Sequence, residues 1–237
     1  MSQDRNLASM LGNIQARERS IVRNVYLWMT AGLAVTGVTA YGIAANQRLM
    51  TLFLRNPFFL IFLFIAQFGL VFYLSARIQD MSRNRATFTF LGYAFVTGVT
   101  FSTLFYAFSV PTIFKAFLVA ALMFGGMSFY ATTTHKDLSG IGYYSGMALW
   151  GLIVAMLVNF LFRSTMFDLL ISVIGVFVFL GLTAWDVQKI KRTNDEYGYS
   201  MSELDYHRAS IYGALTLYLD FINIFLYLLR IFGRSDS

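Results

Sequence analysis

Seven apolar runs, at 25–45, 58–76, 86–105, 113–131, 143–162, 167–184 and 211–232, are separated by short polar stretches that hold most of the charge. A helix rising 1.5 Å per residue needs about 20 apolar residues to cross ~30 Å of hydrocarbon. Barrel strands would alternate in segments of roughly ten residues, a pattern these runs do not follow. The pattern therefore predicts an all-α integral membrane protein of seven transmembrane helices, forming a single domain over 1–237. The first 24 residues are different in kind. Leu7, Met10, Leu11 and Ile14 recur at helical spacing among Arg5, Arg17, Arg19 and Arg23, which predicts a short amphipathic helix over about 7–21 on the cytoplasmic membrane surface. The apolar run that follows is too long for the h-region of a secretory leader and has no cleavage site.

Composition agrees with an apolar solvent. Of 237 residues, 57% are hydrophobic and 13% charged, about half the charged share of a soluble domain. Seven spans with short connections fill that length and leave no room for a soluble catalytic domain. The chain has no cysteine and two histidines, His135 and His207, so disulfides, thiolate metal centres, imidazole metal centres and Ser/His/Asp triads lack material. The formal net charge of +6 is not a nucleic-acid footprint, because Lys and Arg are spread between the apolar runs and form no patch. Counted over alternate loops, twelve Lys and Arg fall on the N-terminal side and six opposite. The positive-inside rule then puts the N-terminus in the cytoplasm and, after seven crossings, the C-terminus outside. A last span that entered and returned would bring the C-terminus back to the cytoplasmic side.

Polar residues inside the runs carry the chemistry. Asp220 lies nine residues into the last run, about 13 Å deep, where insertion scales charge roughly 2.5–3.5 kcal/mol for an aspartate. Such a residue is expected to face protein and to have a partner. Gly213, Thr216, Asp220, Asn223, Tyr227 and Arg230 form one small or polar stripe, spaced 3, 4, 3, 4 and 3, on an otherwise Leu/Ile/Phe helix. That stripe fits an ion pathway or a hydrogen-bonded packing seam, and Asp220 favours the pathway. Asp186 ends the sixth run, near Lys189, Lys191 and Arg192. Taken alone it is either an interfacial carboxylate or a partner for Asp220, since consecutive spans joined by a loop of about 26 residues can pack as antiparallel neighbours. Two carboxylates in a low-dielectric site do not both ionise cheaply, so such a pair shares a proton until pH or a cation separates it.

The remaining features have plainer readings. Gly32 and Gly37, Gly92 and Gly98, Gly125 and Gly126, Gly142 and Gly146, and Gly175 and Gly181 are expected to let helices approach closely. Gln67 and Asn159 are expected to hydrogen-bond between helices, and Lys115 to snorkel to the outer interface. His135-Lys136-Asp137 reads as a solvated turn and 189–203 as a mixed-charge loop. No G-x-x-x-x-G-K-[ST] occurs, which argues against ATP-driven pumping, and no lysine in the last span could form a Schiff base. One aspartate on each of the last two spans resembles the layout of an intramembrane aspartyl protease. The second aspartate here, however, follows Leu217-Tyr-Leu where those enzymes carry Gly-x-Gly, and Pro57 and Pro111 are the only prolines. No enzymatic activity is expected.

Four stretches resemble the Bax-inhibitor (transmembrane Bax-inhibitor-motif) family, in particular its bacterial inner-membrane members. They are Gly125-Gly-Met-Ser-Phe-Tyr130, Lys136-Asp-Leu-Ser-Gly140, Gly181-Leu-Thr-Ala-Trp-Asp186 with Gln188 and Lys189, and the segment from Ala214 to Gly233 that contains Leu-Tyr-Leu-Asp220-Phe-Ile-Asn223. Trp185 stands where the family usually has Tyr. The resemblance implies seven helices with the last running up the middle of the other six, and a pH-sensitive calcium leak in which Asp186 and Asp220 are the sensor pair. The family's arginine latch on the second span has no distinctive counterpart here beyond Arg77 at that helix end. Some bacterial members are associated with a membrane-anchored protease, which makes an accessory role the alternative to a channel.

The expected pathway residues are therefore Asp186, Asp220, Asn223 and Thr216. Following the resemblance, calcium is expected to be a permeant ion held weakly by Asp186 and Asp220, since two aspartates, Asn223 and backbone carbonyls fall short of the 6 to 8 oxygens of a tight site. No cofactor is expected, and the expected partners are the lipid bilayer, calcium ions and, on the accessory reading, the protease.

Overall fold

A computed structural model describes residues 2–55, 57–197 and 201–234, with side chains described for 21–51, 58–197 and 201–234. The described residues form helices α1 (Ser2–Ala44), α2 (Gln47–Arg55), α3 (Pro57–Arg77), α4 (Arg83–Phe101), α5 (Leu104–Ala107), α6 (Val110–Thr133), α7 (Ser139–Phe162), α8 (Thr165–Tyr197) and α9 (Glu203–Gly233), with a 3-10 turn at Ile78–Asp80. Seven stretches are long and apolar enough to span a bilayer: Ile21–Ala44, Phe58–Asp80, Arg83–Ala107, Val110–Thr133, Ser139–Phe162, Thr165–Tyr197 and Glu203–Gly233. The apolar pattern thus located every span. Large side chains such as Phe72, Phe88, Trp150 and Phe160 stand exposed on these helices, as lipid-facing positions require.

The structure departs from the sequence expectation at three places. The amphipathic N-terminal segment is no separate helix at backbone level: α1 runs unbroken from Ser2 to Ala44, because no proline or glycine interrupts 13–31. Which way Leu7, Met10, Leu11 and Ile14 face lies outside the described side chains. The stretch after Asp186 is not a 26-residue loop, since α8 continues to Tyr197 and α9 starts at Glu203. Its helical signal is Val187, Ile190 and Asn194, spaced 3 and 4, of which Val187 and Asn194 are buried, while Lys189, Lys191, Arg192, Asp195 and Glu196 take the rest of the perimeter. Asn159 does not reach another helix; its Oδ1 accepts the Ser164 N–H at 3.1 Å. It sits in the last turn of α7, which ends at Arg163 in the left-handed region with φ 50°, so the nearest unsatisfied donor belongs to its own chain reversal.

The packing divides into two compact units, one holding Met1–Thr103 and Lys189–Leu215, the other Leu104–Gln188 and Thr216–Ser237. In the first, Gly98 of α4 lets Thr36 and Thr39 of α1 approach so closely that a Cβ there would lie 2.7 Å from the Thr36 carbonyl oxygen. Thr36 in turn donates to the Ala94 carbonyl at 2.9 Å. Gln67 bonds Thr100 between α3 and α4, as expected of an interhelical amide. His207 of α9 meets Thr87 of α4, Nε2 to Oγ1 at 2.9 Å, with Trp28 of α1 edge-on at 5.8 Å.

In the second unit, α9 is walled by three helices. Phe221 packs against Phe117 and Phe124 of α6, with ring centroids 5.5 and 5.7 Å away, and Tyr227 meets Phe179 of α8 and Met156 of α7. Lys115 does not stand free: its Nζ lies 4.6 Å from the Phe232 ring centroid. The turn at Lys136-Asp137 is tied down, since Gln188 donates to the Lys136 carbonyl at 2.8 Å and accepts the Leu138 N–H at 2.7 Å. Of the seven candidate spans, the one in α9 has the largest buried share, 61% of its apolar window. Its helix is continuous over 31 residues, so the last span does not enter and return.

Candidate functional site

The site is built where the end of the apolar part of α8 meets the middle of α9. In α8 the order Gly181-Leu-Thr183-Ala-Trp185-Asp186 sets Thr183 and Asp186 three residues apart, hence on one face, one turn from each other. Trp185 beside them is seated on Gly142 of α7, where a Cβ would collide with the indole ring. Gln188, one step further along α8, holds the 136–138 turn. Asp186 thus stands on a stretch of helix fixed on both sides.

Across from it, Asp220 is 4% exposed and Asp186 9%. The Asp220 carboxyl faces the carboxyl of Asp186 and the side chain of Thr183. The Thr183 hydroxyl also lies 2.7 Å from the Phe179 carbonyl. One hydroxyl hydrogen therefore faces two acceptors. Among the described residues the Oδ2 of Asp220 is buried with no hydrogen-bond partner, an expensive state for a carboxyl oxygen in a packed interior.

Of the four residues expected from the sequence, the structure brings Asp186 and Asp220 together and leaves the other two alongside. Asn223, half-buried, donates its amide to the Leu219 carbonyl at 2.8 Å, and Thr216 is half-buried one turn before Asp220. Thr183 was not among the expected residues, although its spacing from Asp186 was visible. Among the described residues no group of three or more His, Asp or Glu is placed to hold a metal.

Seven apolar spans, with helix and no strand among the described residues, define a multi-pass integral membrane protein. The profile of the family described as "Inhibitor of apoptosis-promoting Bax1" matches residues 18–237. The chain belongs to the Bax inhibitor family. It is 45% identical over 216 residues to the inner membrane protein YbhL of Escherichia coli K12, covering 91% of this chain and 92% of the relative. It is 46% identical over 220 residues to an uncharacterized protein of Deinococcus radiodurans, covering 92% of each, and 39% identical over 233 residues to one of Borreliella burgdorferi, covering 96% of this chain and all of the relative.

Proposed function

We propose that the protein is a passive, pH-sensitive leak for cations, calcium first among them, in which Asp186 and Asp220 are the sensor pair. The observation that carries this reading is the buried juxtaposition of the Asp186 and Asp220 carboxyls, with one Asp220 oxygen left without a partner among the described residues. With one proton shared, the pair is a charge-assisted bond that holds α8 against α9. Without it, two like charges face each other in a poorly solvated site, and separation or a cation between them relieves the repulsion. Asp220, Asp186 and nearby oxygens offer a divalent ion weak and passing coordination, as conduction requires. Thr216 and Asn223 continue the polar face along α9 on either side of the pair. The reaction is movement down a gradient; no bond is made or broken, no cofactor takes part, and no catalytic role is assigned.

The membrane is proposed to be the bacterial inner membrane, by analogy with YbhL, with the N-terminus cytoplasmic and the C-terminus outside from the Lys and Arg distribution. The test is calcium flux into liposomes holding the purified protein, measured at several pH values beside an Asp186→Asn/Asp220→Asn double variant. Flux that varies with pH in the parent and not in the variant is expected. Equal leakage by the two overturns the reading, and no flux from the folded parent favours an accessory role beside a membrane-anchored protease.

A further inference from the structure

Following the polar face of α9 away from Asp220 towards Gly233, the next groups are Asn223, Tyr227 and Arg230. Asp220 and Tyr227 are seven residues apart, nearly in line on the helix and about 10 Å apart along its axis. Tyr227 is 5% exposed. Beyond it the helix is more exposed: the side chains of Arg230 and Asp168, 3.9 Å apart, are 45% and 37% exposed. Along α9, Tyr227 therefore stands between the more exposed Arg230–Asp168 pair and the buried carboxyl pair.

The seat of that ring is specific. A Cβ at Gly175 of α8 would stand 2.6 Å from two ring carbons of Tyr227 and 2.8 Å from a third, so the ring lies flat on bare backbone. Phe179 closes one side, 5.9 Å between centroids, and the Arg230 guanidinium stands 5.8 Å from the ring centroid. Among the described residues, the phenol hydroxyl's one acceptor is the Met156 sulfur of α7, at 3.9 Å. A thioether is a weak acceptor, so the hydroxyl gains little in this position, and a group that only filled space would serve better as phenylalanine. A ring with a polar tip, seated on one glycine and with only a weak acceptor at its hydroxyl, loses little at that hydroxyl when it leaves its seat.

We propose that Tyr227 is the plug of the ion pathway, seated on Gly175 and closing the stretch between Asp220 and the Arg230–Asp168 end. This deepens the leak reading and rests on it for the word pathway, but the barrier itself is testable without ion flux. The parent chain has no cysteine, so a single Asn223→Cys probe, on the Asp220 side of the ring, reports access directly. The full-length protein in phosphatidylcholine/phosphatidylglycerol liposomes is treated with a membrane-impermeant cationic methanethiosulfonate on both faces, in parallel with calcium flux.

With Tyr227 intact, slow modification of Asn223→Cys is expected. Tyr227→Ala should raise its rate about tenfold or more, because the open form becomes the resting form. Gly175→Ala should raise it less, since its methyl unseats the ring but does not remove it. That second variant keeps Tyr227 in place and answers the question if Tyr227→Ala does not fold. Modification at one rate in all three backgrounds overturns the plug. If labelling accelerates but neither parent nor Tyr227→Ala passes calcium, the plug stands as a barrier and the leak reading fails. If the parent leaks with pH and Tyr227→Ala changes neither labelling nor flux, the leak reading stands and the plug falls.

Discussion

Two buried polar clusters lie on the same helix and are finished to different degrees. In the first unit, His207 has Thr87 on its Nε2 at 2.9 Å and Trp28 against its ring edge, and the neighbouring Arg208 spends its donors on the Met81 carbonyl at 2.7 Å and Asp205 at 3.0 Å. In the second, Asp220 has Asp186 and Thr183, a hydroxyl already within reach of a carbonyl, and one oxygen with nothing. A satisfied cluster has one good arrangement and resists change. A cluster with more acceptors than protons has at least two arrangements of similar energy, and the proton count chooses between them. On the leak reading, the difference separates a polar group that fixes the fold from one that switches.

The largest effect that would break this contrast is in the aspartates. Asp220→Asn should flatten the pH dependence of calcium flux, and adding Asp186→Asn should then change little, because two residues acting through one shared proton are not additive; independent, additive changes in the liposome assay would dissolve the pair. Thr183→Val comes next. It removes the hydroxyl from both acceptors with little change of shape, and should displace the pH profile of flux while the protein stays folded. Gly142→Ala pushes on Trp185 and should lower stability by about 1–3 kcal/mol, read as a lower midpoint in detergent unfolding. Thr87→Val should cost about 1 kcal/mol for the lost bond to His207 and leave the pH profile where it was. A shifted profile in that variant would mean that the first cluster also switches.

Much of this was legible in the chain before any coordinates. The seven spans follow from run length alone, and the cost of an aspartate in the middle of the last run forced a partner for Asp220. What stayed hidden is instructive. Residues 189–197 carry so many charges that they read as loop, although Val187, Ile190 and Asn194 keep a helical stripe that only a buried neighbour makes meaningful. Asn159 looked interhelical because sequence shows depth and not direction, and a helix end supplies donors of its own. Of the glycine pairs, Gly98, Gly142, Gly175 and Gly181 do meet neighbouring side chains or backbone, whereas a Cβ at Gly37, Gly92, Gly125, Gly126 or Gly146 would meet nothing within 4 Å. Spacing marks the candidates, and the facing helix decides which one is used. Thr183 escaped notice for a related reason: a threonine in a span ordinarily bonds its own helix, as this one also does with Phe179, and nothing in one strand of text says that a carboxyl stands opposite.

Gln188 has a consequence for which letters the chain tolerates. Both ends of its amide are engaged by one short piece of backbone, the carbonyl oxygen by Leu138 and the nitrogen by Lys136, so the side chain acts as a borrowed peptide unit. Glutamate has the length but no donor, lysine the length but no acceptor, and asparagine both groups on a stem one carbon short. Among the twenty residues the position has a vocabulary of one. A saturation library at 188, selected only for folded protein at elevated temperature, should return to glutamine.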